Sequence, residues 1–303
     1  MTSTGTSSSN GRTMKILVER VIMNDNSATS SSLNTTIPDH WDVPKNSSSS
    51  TSSPTTVVIP PEKFKDPWIG VNHDKSVLDG MSMMKDFLFN SPSIPSDEEL
   101  PQLKPNWDKL MNPSESSDEY QVTWIGHSTF LIQYRGVNII TDPVFSERCS
   151  PSQYFGPKRI KPIPFPDISK LPKIHFVIIS HNHYDHLDEH AFKEIQKHHD
   201  PIFLLPFKMK YKWMMKHYSN SDAEKEKLVD LDWWKETTFK VTAENQTVSN
   251  LSFVCLPAQH WSSRTGFDRN HVLWGSWGFK FDYTDGNENV TRSFWHAGDT
   301  GYK

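Results

Sequence analysis

Hydrophobic residues are sparse at the start of the chain and form regular patterns only from about residue 119 onward. Apolar runs of strand length, either alternating with polar residues or continuous, are typical of β-strands. The run at 174–180 is apolar except for His175 and Ser180, as expected of a strand buried on both faces. In the first half of this region the pattern predicts strands at 121–125, 129–134, 137–141, 174–180 and 201–205.

Two helices are predicted between these strands and a second series of strands. Asp188 is a suitable N-cap for a helix in which Phe192, Ile195 and His199 recur at helical spacing, and 207–218 predicts another helix. The sequence then becomes rich in strand patterns at 238–243, 248–256, 272–281 and 291–296. This order predicts a layered α/β fold with its functional site at strand ends.

The first 60 residues are dominated by Ser, Thr and Asn, and we expect them to form a disordered tail. The apolar run at 14–23 contains Glu19 and Arg20 and is too short for a signal peptide or a membrane span. Three regions are therefore predicted: a tail (1–60), an N-terminal extension (61–118) and a hydrolase-like domain (119–303).

Net charge and cysteine content limit the binding partners and the cellular compartment to be expected for this protein. A net charge of −4 does not favour nucleic acid as a partner. Two cysteines, Cys149 and Cys255, are too few for a disulfide framework and fit a reducing, intracellular compartment, although one bridge stays open. Since no run of about 18 apolar residues occurs, we expect a cytoplasmic protein that does not span a membrane.

A cluster of metal-ligating residues follows the strand predicted at 174–180. The sequence from Ser180 to Asp188 reads S-H-N-H-Y-D-H-L-D, and His181 and His183 would point the same way in an extended chain. Asp185 and His186 follow where the chain turns towards the helix. Imidazole and carboxylate donors at this density suit a site for two zinc ions. The alternative is a surface loop that happens to be rich in histidine.

Two further candidate ligands come directly after apolar runs. His260 follows the strand predicted at 248–256, and Asp299 follows the strand predicted at 291–296. Gly298 precedes this aspartate and allows the backbone a sharp turn. Each residue alone would more often be structural, but together with the first motif they extend a binuclear site.

The order of these motifs resembles the metallo-β-lactamase superfamily. Further segments resemble the N-acyl-phosphatidylethanolamine-hydrolysing phospholipases D within it: W-I-G-H-S-T (124–129), T-D-P-V-F (141–145), S-P-S-Q-Y-F-G-P-K-R (150–159), H-W-S-S-R-T (260–265), V-L-W-G-S-W (272–277) and H-A-G-D-T-G-Y (296–302). The resemblance covers about residues 64–303 and implies an αββα sandwich.

The resemblance also implies the role of each site residue. It assigns His181, His183 and His260 to one zinc, Asp185 and His186 to a second, and Asp299 to both, with Asp185 and Asp299 as the catalytic carboxylates. Gln153 and Tyr154 would contact the substrate. The family has one more histidine ligand farther along the chain than Lys303, so the resemblance implies a fold incomplete at the C-terminus and impaired activity.

The function implied by the resemblance is phospholipase D-type hydrolysis of N-acyl-phosphatidylethanolamine to an N-acylethanolamine and phosphatidic acid. The residues themselves indicate only a binuclear metal hydrolase. One alternative is a catalytically impaired relative that binds a lipid or a partner subunit. Another is a different hydrolase of the superfamily, such as a lactonase or a nuclease.

A phospholipid substrate implies contact with a membrane surface. The Met-rich segment 78–89 is the preferred contact, whereas the helix predicted at 207–218 is expected to pack on the sheet with its lysines in water. His127, Lys158 and Arg159 are candidates for the site, with burial or solvation as the alternative, and both cysteines are expected to be packing thiols. A homodimer is compatible with the sequence.

Overall fold

The computed structural model describes most of the chain from residue 98 to 301 and three earlier segments, 16–21, 39–42 and 61–68. Residues 115, 117, 166, 211–213, 215–224, 244–248 and 266 fall outside this description, and residues 82, 85, 95 and 96 are described singly. Most of the segment predicted to contact membranes (78–89) and most of the helix predicted at 207–218 therefore lie outside the described residues.

The described residues form strands that belong to three sheets, and the strands are numbered here in chain order. The strands are β1 (Ile16–Val21), β2 (Trp41–Asp42), β3 (Lys63–Phe64), β4 (Gln121–Gly126), β5 (Thr129–Tyr134), β6 (Val137–Thr141), β7 (Phe176–Ile178), β8 (Ile202–Pro206), β9 (Leu228–Leu231), β10 (Glu236–Ala243), β11 (Ser249–Leu256), β12 (Ser276–Asp285) and β13 (Glu288–His296).

One sheet has six strands in the order β4-β5-β6-β7-β8-β9, antiparallel up to β6 and parallel thereafter. The other has five antiparallel strands in the order β1-β10-β11-β12-β13. The parallel strands direct their carboxyl ends to one edge, where the loops after β6 and β7 lie side by side.

The two sheets pack face to face around an aromatic core. Phe176 of the six-stranded sheet lies between Phe239 and Phe253 of the five-stranded sheet, with ring centroids 5.2 and 5.0 Å away. Burying a large apolar side chain of this kind contributes about 1.5–3 kcal/mol. This aromatic layer therefore fixes how the two sheets sit against each other, and with them the loops at their edges.

Helices cover the outer face of the six-stranded sheet. The described helices are α1 (Trp107–Met111) and α2 (Glu189–His199), and both contribute buried residues to a second core with β5–β8. Asp188 caps α2 as predicted, because its side chain accepts a hydrogen bond from the backbone N–H of His190. The arrangement is the α/β sandwich expected from the sequence. None of the described helices is long and apolar enough to cross a bilayer.

The strand predictions agree with the structure within a few residues for most of the domain. The strand predicted at 174–180 is regular only over Phe176–Ile178. The strand predicted at 272–281 begins four residues late, at Ser276. Val272–Gly275 are instead held by other contacts, since Leu273 donates to the Phe207 carbonyl and Gly275 to the Ser180 carbonyl. Strand β9 was not predicted.

The expectation of disorder throughout 1–60 is wrong for two segments. Ile16–Val21 forms a full antiparallel edge strand against β10, and charged Glu19 and Arg20 are part of it. Buried His40 contacts Asp232 through Nε2 and Oδ1 at 2.6 Å, which fixes the second segment to the domain. Both contacts are made with partners about 200 residues away, so local composition gives no sign of them.

Candidate metal centre

Three histidine nitrogens converge at the edge where the two sheets meet. Nε2 of His181 lies 2.8 Å from Nδ1 of His183, and Nε2 of His260 lies 3.2 Å from each of those atoms. Zinc–nitrogen bonds of about 2.0–2.1 Å in a tetrahedron separate ligand nitrogens by roughly 3.3 Å. The three predicted ligands therefore form a cradle of nearly the size that such an ion requires.

The protonation state of this cradle also suits a metal. Burial, followed by the neighbouring histidines, lowers the pKa of His181 well below its usual value, and the same causes lower the pKa of His183 to about 4. Both imidazoles are consequently neutral at pH 7. A neutral imidazole presents a lone pair, which is the form that ligates a metal.

A second group of donors lies beside the first. His127, Asp185 and His186 bring ligand atoms within 4.8 Å of one another. Nε2 of His186 is buried, lacks a well-oriented hydrogen bond, and lies 3.9 Å from Oδ2 of Asp185. A buried nitrogen that makes no well-oriented hydrogen bond and lies near carboxylates suits a bound cation. His127, which the sequence left undecided, lies at this group, with Nε2 3.2 Å from Oδ2 of Asp185.

Asp299 lies between the two groups. Its Oδ1 is 3.2 Å from Nε2 of His186, while its Oδ2 is 3.7 Å from Nε2 of His260 and 4.0 Å from Nε2 of His181. One oxygen thus faces each group, which is the placement expected of a bridging carboxylate. His186 holds the pKa of Asp299 below its usual value, so the carboxylate is ionised at neutral pH.

Asp185 is also an anion. Burial opposes its ionisation, but the hydrogen bond from His127 and the charge of His186 lower its pKa to about 2. For His186, burial disfavours the charged form, yet the adjacent Asp142 carboxylate raises its pKa to about 10. The lowered pKa of Asp185 and the raised pKa of His186 show that negative charge is concentrated around this histidine. A cation-binding site has the same property.

A buried network behind the site was missed from the sequence. Oδ2 of Asp142 lies 2.8 Å from Nδ1 of His186 and 2.9 Å from Nε2 of His296, and Ser180 donates to both carboxylate oxygens. Hydrogen bonds of this kind fix the tautomer and orientation of a ligating imidazole. The available signal was an aspartate at the end of the apolar strand β6, within the T-D-P-V-F segment.

Gly298 makes the close approach of Asp299 possible. Its φ is +59°, and a Cβ at this position would lie 2.5 Å from the Cβ of Ser180. Any other residue would be strained in this conformation and would displace the serine of the buried network. The sharp turn expected at this glycine is confirmed.

The loop carrying His260 supports the ligands from the other side. The ring of Trp261 packs edge-on against His183, with centroids 4.2 Å apart, and the guanidinium of Arg269 lies 4.3 Å from that indole. Arg264 is buried and donates from Nη1 to the carbonyls of Asn182 and Leu187. These contacts hold the loop that bears His183 and Asp185, and sequence reasoning did not identify them.

A cavity of about 770 Å³ opens beside His127 and Asp185. Lys158 and Arg159 line it, as do Cys149 and many apolar residues, among them Trp124, Ile125, Val144, Ile160 and Ile163. Gln153 is not among the residues that line it. Its side-chain amide accepts from the backbone N–H of Arg148 and donates to the Arg148 carbonyl. Tyr154 also stands outside the cavity and is 87% exposed.

The cysteines belong to none of the ligand groups found among the described residues. Cys149 lies on the cavity wall, whereas Cys255 is buried in the core between the sheets, where burial raises the pKa of its thiol. The donors at the centre are therefore imidazole nitrogens and carboxylate oxygens. This set fits divalent zinc, iron or manganese, with His181, His183 and His260 on one side and Asp185, His186 and Asp299 on the other.

Residues 137–303 match the family model described as a beta-lactamase superfamily domain. The N-acyl-phosphatidylethanolamine-hydrolyzing phospholipase D 1 of Caenorhabditis elegans is 34% identical over 212 residues, which cover 69% of this chain and 55% of that protein. The mitochondrial enzyme of the same name from Saccharomyces cerevisiae is 34% identical over 180 residues, covering 59% of this chain and 34% of that protein. The chain thus spans about half or less of the length of these relatives.

Among solved structures, Igni18, a metallo hydrolase from Ignicoccus hospitalis KIN4/I, is 20% identical, with a TM-score of 0.36 and coverage of 60% of this chain and 61% of that chain. A TM-score of this size establishes nothing by itself. The family match covers the strands β6–β13 and the donors His181, His183, Asp185, His186, His260 and Asp299, but not His127. The chain belongs to the metallo-β-lactamase superfamily, in which its relatives include the N-acyl-phosphatidylethanolamine-hydrolysing phospholipases D.

Proposed function

We propose that this chain carries the active site of a zinc-dependent phosphodiesterase of the phospholipase D type, acting on N-acyl-phosphatidylethanolamine. The observation that carries the proposal is the position of Asp299, which faces the three-histidine cradle with one oxygen and His186 with the other. The names of the worm and yeast relatives support this choice of substrate.

In the proposed reaction, water attacks phosphorus and the bond from phosphorus to the N-acylethanolamine oxygen breaks. Two metal ions would supply electrophilic charge for the phosphodiester and would acidify water. Asp185 and Asp299, both ionised, would hold the metals and orient the water through their remaining lone pairs. The water oxygen ends in phosphatidic acid, and one water proton ends on the N-acylethanolamine.

The cavity supports a lipid substrate. Its wall is mainly apolar, and it opens at the His127–Asp185 end of the metal centre. A long hydrocarbon chain would gain about 0.8 kcal/mol for each methylene group that it buries there. The cation Arg159 on the same wall suits a ligand that also carries negative charge.

We also propose that the loop between Arg148 and Lys158, which we call the finger, contacts the membrane. Its base is a bridge between Arg148 and Lys158 and a hydrogen bond from the backbone N–H of Cys149 to the Pro157 carbonyl. Its tip exposes Tyr154 (87%) and Phe155 (77%) beside the cavity that Cys149 and Lys158 line. Aromatic side chains at the end of an ordered loop suit the interface of a bilayer.

The function is tested by incubating the zinc-loaded protein with N-acyl-phosphatidylethanolamine in water enriched in oxygen-18 and analysing both products by mass spectrometry. The proposal expects the label in phosphatidic acid and none in the N-acylethanolamine. Label in the N-acylethanolamine would place the attack on carbon and contradict a phosphodiesterase. Absence of both products from folded protein with two bound metals would contradict the proposed substrate.

A further inference from the structure

Arg159 differs from the other cations of the cavity in how its side chain is held. Its Nε donates to the Ser146 carbonyl and its Nη2 to the Val144 carbonyl, both at 3.0 Å. The third nitrogen, Nη1, has no hydrogen-bond partner in the described part of the chain. Two carbonyl anchors thus fix a half-buried guanidinium and leave one NH₂ group available.

The available nitrogen lies near the metal centre. A Cβ built on Gly126 would be 3.4 Å from Nη1 of Arg159, and Gly126 is followed by His127, which contacts Asp185. Gly126, His127, Asp185 and Arg159 all line the same cavity. A ligand in this cavity can therefore meet the guanidinium and the end of the metal centre together.

No carboxylate neutralises Arg159 directly. Among the described residues it forms no ion pair: the charges of Asp188 and Glu147 act on it, but the Asp188 carboxylate already accepts from the backbone N–H groups of Phe145, Ser146 and His190. Lys158 is different, because its Nζ lies 3.4 Å from Oε2 of Glu147 and its side chain is half exposed. A half-buried cation in an apolar cavity is costly unless an anion joins it.

We propose that Arg159 is a substrate-binding residue that holds the anionic phosphate of a phospholipid while the apolar wall takes its hydrocarbon chains. The proposal rests on the proposed function and specifies which group positions the phosphate beside Asp185. Because the guanidinium is fixed by Val144 and Ser146, it can present a charge-assisted hydrogen bond without losing further side-chain entropy. Lys158, already paired with Glu147, has no such role.

The experiment measures binding and requires no turnover. The zinc-loaded chain is titrated with dihexanoyl phosphatidic acid and, separately, with uncharged dihexanoylglycerol, both as monomers, and tryptophan fluorescence reports binding because Trp124 lines the cavity. Arg159→Gln is expected to lower the affinity for dihexanoyl phosphatidic acid about tenfold or more and the affinity for dihexanoylglycerol less than twofold. The matched control Lys158→Gln is expected to change both affinities less than threefold.

Arg159→Lys is a second variant that distinguishes lost binding from a folding defect. Lysine keeps the positive charge but cannot bond to two carbonyls and a phosphate at once. This variant is expected to bind phosphatidic acid with intermediate affinity and to unfold near the wild-type temperature. The proposal is overturned if folded Arg159→Gln keeps the wild-type affinity for phosphatidic acid, or if it loses both lipids equally. A chain that binds as expected but does not hydrolyse N-acyl-phosphatidylethanolamine would contradict the proposed function alone.

Discussion

Nδ1 of His186 lies 2.8 Å from Oδ2 of Asp142, and neither side chain is exposed to solvent. The carboxylate therefore fixes the imidazole so that its other nitrogen, Nε2, faces Asp185 and Asp299. This contact joins strand β6 to the loop after β7 and sets the geometry of the second ligand group. The geometry of the site thus depends on Asp142, which does not itself occupy a ligand position.

Asp142→Asn is expected to weaken metal binding at the second group about 10–100-fold, because the imidazole loses the anion that orients it. The three-histidine cradle should keep its metal. Titration against a competing chelator measures both affinities. Asp167→Asn, at an exposed carboxylate that caps a short 3-10 helix, is the matched control. Two metals bound with wild-type affinity by Asp142→Asn would contradict this role.

His183→Ala is expected to remove most of the metal from the cradle, since one of three converging nitrogens is lost. Metal content by mass spectrometry of the native protein provides the measurement. His198→Ala, at a histidine of α2 that pairs with Glu194 of the same helix, should retain the wild-type content. Equal metal content in both variants would rule out the cradle.

Replacing Tyr154 and Phe155 by Ser together is expected to reduce co-sedimentation with liposomes. Each large apolar side chain contributes about 1.5–3 kcal/mol when it is buried, so losing two should lower the membrane-bound fraction more than tenfold. Trp295→Ser removes another exposed aromatic side chain (64%), on strand β13, and should have little effect. Sedimentation of the double variant at the wild-type level would contradict membrane contact through the finger.

Stability is expected to fall as the pH is lowered from 6.5 towards 4, in part through His175. Burial, assisted by the charge of Lys173, lowers its pKa to about 4, and its Nδ1 accepts a hydrogen bond from the backbone N–H of Asn138. The unfolded chain therefore binds a proton in this range that the folded chain excludes. The difference reaches about 3 kcal/mol near pH 4 and vanishes above pH 6.5.

Urea unfolding at a series of pH values tests this expectation. His175→Gln, whose amide oxygen can still accept from Asn138, should lose less stability over the same range than the wild type. The other histidines are unchanged in this comparison, so the difference between the two curves isolates one residue. Parallel curves would show that His175 does not carry the acid sensitivity.

Much of the fold was predictable because most of its strands have a recognisable local pattern of apolar and turn residues. Strands β5 and β6 are bounded by Arg135-Gly136 and match the prediction residue for residue. Strand β1 was missed because Glu19 and Arg20 interrupt its apolar run, and its pairing partner, β10, is distant in the sequence. Contacts over such separations leave no periodicity that a short window can detect.

The ligands at the metal centre were predictable for a different reason. His181, His183, Asp185 and His186 are close in sequence, and their spacing at a strand end brings them together. Asp142 was not identified because its function is to accept hydrogen bonds from His186 and His296, which are 44 and 154 residues away. The substrate contact that the resemblance implies for Gln153 stays a prediction, and its side-chain amide bonds to the backbone of its own loop.

The ligands come from both sheets, and this links metal binding to the stability of the fold. His181, His183 and His186 follow strand β7 of the six-stranded sheet, whereas His260 and Asp299 follow β11 and β13 of the other. A metal held by both groups binds only when the sheets are packed together, so by mass action free metal draws the chain towards the folded state. At a free concentration 100 times the dissociation constant this stabilises the fold by about 2.7 kcal/mol. Metal supply and sheet packing are therefore thermodynamically linked.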